Sequence, residues 1–224
     1  MRMRNLLMVA TVAMAFPTMA ADRIPIADEG TIGDRWSLVP GTRFVPAYPA
    51  EYASTPEEVC VTVGYLLNAD GHTSDFALLK SWSSGSNSRG RTKFWETFAG
   101  AASEALARWQ FAPEPGVTPR PVYTAATFTF GRVGATGTRE HCAIADLTTR
   151  LVELRYDARA SRLMSRGVFS ELDIDPLLEE RLRHRRVMAR EDRDQAMMAN
   201  AIREQQQQRE QEQEQEPPPP SSDP

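Results

Sequence analysis

The stretch Val59-Cys60-Val61-Thr62-Val63-Gly64-Tyr65-Leu66-Leu67 decides the fold. Val59, Val61, Val63, Tyr65 and Leu67 share one parity; Cys60, Thr62, Gly64 and Leu66 share the other. Period-two alternation in β-branched and aromatic residues marks a strand with one well-buried face. Asn68-Ala69-Asp70-Gly71 follows, and Asp-Gly tolerates the positive φ that a hairpin turn needs. A second strand, about Thr73 to Trp82, then returns antiparallel to the first, with Phe76 and Leu78 as its core residues.

Downstream, Ser83 to Lys93 is polar, contains two glycines and reads as a loop. Thr92 suits an N-cap. Phe94, Trp95, Phe98, Ala101, Ala102, Ala105, Leu106 and Trp109 recur at helical spacing and form one apolar stripe. Pro113 disfavours helical geometry at Ala112, so the helix is expected to end near Gln110. Pro121 to Phe130 alternates again and makes a third strand. A helix linking strands two and three fits a right-handed crossover, which makes those strands parallel. The first strand then sits between them, antiparallel to both. The expected fold is α+β, a three-stranded sheet in the order two-one-three with one packed helix, and strand three has an unpaired edge.

Tyr48-Pro49, the Val59–Leu67 strand, Asp70-Gly71, Ser81 and above all Trp109-Gln110-Phe111-Ala112-Pro113 resemble a TonB C-terminal domain. The match covers roughly Pro46 to Gly131. The resemblance implies a β-β-α-β domain that receives a short extended peptide against its third strand. It further implies that Tyr123, Thr124, Ala126 and Phe128 line the peptide-binding edge, and that the peptide belongs to a TonB-dependent receptor or another envelope protein. Glu57-Glu58 stands where the family has a glycine, and the loop before the helix is long. The family's long Pro/Lys/Glu spacer is missing from Asp22 to Ala47.

Met1 to Ala20 carries Arg2 and Arg4, an apolar run from Leu6 to Phe16 and a small-residue exit, the pattern of a secretory signal. The run is shorter than the roughly 20 residues that span a bilayer; the alternative is a retained inner-membrane anchor. A secreted chain places Cys60 and Cys142 in an oxidising compartment, the periplasm, where a disulfide or two buried thiols are the alternatives. Cys60 points away from the helix-packed face, so a bridge draws the chain after strand three onto the opposite face. At 25% charged residues and a net charge of -4, the 224-residue chain has no bias toward nucleic acid.

Residues 21–45 read as an extended lead-in in which Trp36 and Phe44 cover a sheet edge, and 46–131 as the sheet domain. Residues 132–204 form a helical extension: a short helix within Ala143 to Arg162, a break from Ser165 to Asp175, then a helix with Asp175 as cap and Pro176 in its first turn. Its apolar positions are sparse, and it reads equally as a solvated single helix or as a coiled-coil partner helix. Residues 205–224, Gln/Glu and then Pro, form a low-complexity tail. His72, His141 and His184 make no catalytic set. No GxSxG, Walker, HExxH or CxxC motif occurs. The chain is therefore expected to be no enzyme, to hold no cofactor or metal, and to bind protein. Strand addition at the third strand is one route; contacts through the C-terminal helix or homodimerisation are the other. A permanently capped edge, closed by the lead-in or by the Ala143–Arg162 region, is the competing structural reading.

Overall fold

In the computed structural model, which describes residues 23–54, 57–85, 92–131, 137–156 and 166–215, the chain is an α+β protein. Strand β2 (Val59–Leu67) is its centre, with every residue buried. A three-residue strand, β1 (Trp36–Leu38), precedes it. Strands β3 (Thr73–Ser83) and β5 (Val122–Phe130) flank β2, both antiparallel to it, in the order β3-β2-β5. This is the expected two-one-three sheet. The β2–β5 register runs unbroken from Val59 opposite Phe130 to Leu67 opposite Val122. The β2–β3 register shifts twice, between Thr62 and Val63 and between Gly64 and Leu66. At the hairpin turn Gly71 has φ 84°, and a Cβ there would lie 1.9 Å from the Phe111 carbonyl oxygen. Glycine is required for both reasons.

Helix α1 (Thr92–Leu106) covers one face of the sheet. Phe94, Phe98, Ala102 and Leu106 are buried there with Val61, Val63, Phe128 and Phe130. Fully burying each large side chain is worth about 1.5–3 kcal/mol. Tyr48 closes this core edge-on to Phe98, ring centroids 5.2 Å apart, and its hydroxyl accepts from Glu57 N at 3.0 Å. The helix stops at Leu106, a turn earlier than Pro113 suggests, because the chain has other partners there. Thr73 Oγ1 donates to Leu106 O at 2.8 Å, and Trp109 Nε1 donates to Phe44 O at 2.9 Å. Phe111–Pro113 then forms strand β4, paired antiparallel with β1. Trp36 is buried in the α1-side core, so this part of the lead-in is built into the domain.

The opposite face is covered as well. Cys60 and Cys142 form a disulfide with their Cα atoms 6.0 Å apart, and Thr62 Oγ1 donates to Cys142 O at 2.7 Å. This tie brings α2 (Leu147–Arg155) onto the face that Cys60 points to, as expected for a bridge. Leu147, Leu151, Val152 and Leu154 join Leu66, Ala77, Leu79 and Tyr123 in a second core. A short helix α3 (Arg166–Glu171) occupies the stretch read as a break. Val168, Leu172 and Ile174 from this segment bury into the same core. Because both faces are covered, β3 buries Ala77 and Leu79 on the second side, while Phe76 and Leu78 are half-buried on the first. Gly64 permits the close layering: a Cβ there would lie 2.6 Å from the Tyr123 hydroxyl and 2.8 Å from Leu79 Cδ1.

Helix α4 (Pro176–Gln215) starts as expected, with Asp175 Oδ1 accepting from Leu177 N at 2.9 Å. Leu182 packs against the second core, and Glu179 accepts from Arg155 at 3.0 Å and from the Tyr156 hydroxyl at 2.6 Å. The 40 residues extend for about 60 Å at 1.5 Å per residue. The helix continues through the Gln/Glu tract to Gln215, where the sequence reading places a tail. Gln, Glu and Arg are good helix formers, and extending an already nucleated helix is cheap. The expected signal, residues 1–20, lies outside the described residues, as do most of the loop before α1, residues 157–162 and the proline run. Among the described residues no helix is long and apolar enough to cross a membrane.

Candidate functional site at the outer edge of β5

In an antiparallel ladder, alternate residues turn both N–H and C=O away from the neighbouring strand. On β5 these are the odd-numbered residues, because Tyr123 N and Tyr123 O both bond beyond the sheet. The four residues expected to line the edge share the strand but not a face. Tyr123 is buried in the second core. Ala126 and Phe128 are buried in the α1-side core, and Thr124 is buried too. Their side chains therefore form no common pocket. The edge offers main-chain groups, and Thr129 is its exposed residue.

Those outward groups meet the chain's own lead-in. Residues 24–29 run along β5 as a strap, with Ile26 opposite Tyr123 in parallel orientation. Tyr123 N donates to Pro25 O and Ala27 N donates to Tyr123 O, both at 2.9 Å. Pro25 has no N–H to extend this ladder. Further along, Glu29 replaces main-chain pairing with a side chain. Its carboxylate accepts from Thr127 N and from Thr127 Oγ1, both at 2.7 Å. Arg139 pairs with Glu29 and donates from Nη1 to Thr127 O at 2.7 Å. On its other side the strap is held by Ile24 N donating to Glu171 O and Asp173 N donating to Ile24 O, both at 2.8 Å. Asp28 Oδ1 accepts from Leu147 N at 2.7 Å, which ties the strap to the start of α2. The unpaired edge expected for strand three is thus closed at Tyr123 and Thr127. Sequence reasoning allowed for a cap from the lead-in but missed Ile24, Ile26, Glu29 and Arg139. The one signal available is the brief alternation Ile24-Pro25-Ile26. A cleft of about 580 Å³ opens beside the strap, lined in part by Ile24, Ile26, Arg35 and Arg120.

The opposite rim is built differently. β3 carries both register shifts, and Asp75 has φ 51°. Leu79 O, at the first shift, accepts from Arg150 Nε at 2.9 Å and Nη2 at 2.7 Å, and Lys80 Nζ donates to Ala143 O at 2.8 Å. Burial, and secondarily the charge of Asp75, pushes the Tyr123 phenol well up from its ordinary value, so it stays neutral. His141 stacks on Trp82 with ring centroids 4.0 Å apart, next to the disulfide. Among the described residues no three His, Cys, Asp or Glu side chains gather as metal ligands.

No family model matches the chain, and no curated protein matches it. Among solved structures, it is similar to the solution NMR structure of the Pseudomonas aeruginosa TonB CTD, at 20% identity and a TM-score of 0.37 over 48% of this chain and 94% of that one. It is also similar to the NMR structure of the Helicobacter pylori TonB-CTD, at 20% identity and a TM-score of 0.28 over 39% of this chain and 69% of that one.

Proposed function

We propose that the chain is a non-catalytic, periplasmic protein-binding module that captures an extended peptide by strand addition at β5. One observation carries this reading. β5 is a rim strand in perfect register for nine residues, yet among the described residues main-chain pairing on its outer side is limited to Tyr123, and side chains alone hold Thr127. A regular strand edge is a template for an incoming strand, and main-chain bonds supply the affinity in that mode of recognition. The disulfide fits an oxidising compartment. The resemblance carried by Tyr48-Pro49, Asp70-Gly71 and Trp109–Pro113 suggests a receptor segment as the partner. A photo-crosslinker at Thr129 in living cells tests this. Adducts with an extended segment of an envelope protein, lost in Thr127→Pro, support it; adducts indifferent to Thr127→Pro contradict it.

A second reading is an envelope scaffold that pairs through α4. It is favoured by the exposed apolar side chains Val187, Met188, Met197, Met198 and Ile202 along that helix. Removing residues 187–215, which keeps Leu182 and Glu179 in place, separates the two. Capture at Thr129 survives the deletion under strand addition and is lost if α4 makes the contacts.

A further inference from the structure

We infer that the strap, residues 24–29, is a built-in occupant of the β5 edge, and that its chemistry specifies the segment that replaces it. That segment runs parallel to β5, carries aliphatic side chains two residues apart, and has a carboxylate three residues after the second. This rests on the strand-addition reading and adds to it both a gate and a ligand class.

Each element of the specification comes from an observed contact. The parallel direction comes from the bridge between Ile26 and Tyr123. The aliphatic pair corresponds to Ile24 and Ile26, which are half-buried against the second core. The carboxylate corresponds to Glu29, which holds the outward N–H and hydroxyl of Thr127 and pairs with Arg139. An incoming segment without an acid at that place would leave the Thr127 N–H without its acceptor, which selects against it.

The strap's grip on β5 itself is short, and its remaining main-chain ties, from Ile24 to Glu171 and Asp173, run to the segment on its other side. Two main-chain bonds join it to β5, both at Tyr123. The proline at position 25 removes the next donor. Neither isoleucine is fully buried. A strand integral to the sheet would continue the ladder along Ala125 and Thr127, whereas here a side chain takes over at Thr127. An exogenous strand with uninterrupted donors can form more main-chain bonds to β5 than the strap does, and these offset the strap contacts that it breaks.

The test uses the full chain and a fluorescent synthetic peptide, Arg-Ile-Pro-Ile-Ala-Asp-Glu-Gly, which copies residues 23–30. Binding is measured to the wild type, to Glu29→Gln and to the double variant Ile26→Ser/Glu29→Gln. Near-ultraviolet circular dichroism reports whether each variant keeps its fold; Glu29→Gln, a substitution near the surface, is the safeguard if the double variant does not. The expected result is at least about tenfold tighter binding to the variants, since the intramolecular competitor is weakened. A peptide with Gln in place of its Glu binds more weakly than the copy. Equal binding by wild type and both folded variants overturns the proposal. Equal binding of unrelated extended peptides overturns the ligand specification while leaving strand addition standing. Failure of every peptide overturns both. Concentration-dependent dimerisation of the wild type, abolished by Glu29→Gln, makes a second copy the occupant and overturns the assignment to a separate partner.

Discussion

The two rims of the same sheet solve the exposed-edge problem in opposite ways. β3 is spoiled as a template by its own backbone, with two register shifts and a positive φ at Asp75. Bulges of this kind twist an edge out of pairing geometry. β5 keeps a straight register for nine residues and is covered instead by a separate piece of chain. The first solution is permanent, because it is written into the strand. The second is reversible in principle, because the cover can move while the strand stays regular.

The largest expected effect comes from the tie that holds the covering layer. Cys60→Ser/Cys142→Ser opens a loop with a separation of 82 residues. The chain-entropy model gives a loss of about 4.5 kcal/mol for a loop of that length. Chemical denaturation measures it, and amide exchange in α2 and the strap is expected to rise more than exchange in α1. Equal loosening of the two faces would erase the distinction between the rims.

A paired substitution sharpens the comparison. Glu29→Ala leaves the Thr127 N–H without its acceptor, and Arg150→Ala leaves Leu79 O without its donor. Each costs about 1–3 kcal/mol. The outcomes differ in kind. Glu29→Ala accelerates exchange locally at Tyr123 and Thr127, while Arg150→Ala lowers global stability and leaves β3 as irregular as before. If both substitutions act only globally, the strap is an ordinary part of the fold.

The smallest effect is a pH dependence at the junction of α2, which serves the β3 rim, with α4. The hydrogen bond from Tyr156, aided by Arg155, lowers the Glu179 carboxyl below its ordinary value. A depressed carboxyl contributes stability that is present above its unfolded value and lost as pH falls through the folded one. Protease sensitivity at the start of α4 is therefore expected to rise below about pH 4, and Glu179→Gln is expected to flatten that dependence. An unchanged profile in Glu179→Gln would remove this carboxylate as the cause.

What could be read from the sequence divides along the same line. β2, β3, α1 and β5 each span enough residues for a period to show, and their order followed from the handedness of one crossover. The three-residue strands Trp36–Leu38 and Phe111–Pro113 are too short to carry a period. Pro113 pointed to the right event, the end of a helix, but Thr73 and Phe44 set where it occurred. The strap escaped notice for a physical reason: Glu29 and Arg139 act on β5 across separations of 98 and 12 residues, and neither has a local signature. Tyr123, Thr124, Ala126 and Phe128 do lie together on β5. Their side chains were misjudged because the second covering layer comes from segments with weak periodicity.

Amide hydrogen exchange at Tyr123 and Thr127, measured against β2 in the oxidised full-length chain, bears most directly on the exchangeable strap. An exchangeable strap gives these two amides a shared, local opening about tenfold or more faster than the β2 amides, which open with the whole fold. Exchange of Tyr123 and Thr127 at the β2 rate, through global unfolding alone, would mean that the β5 rim is as permanently closed as the β3 rim.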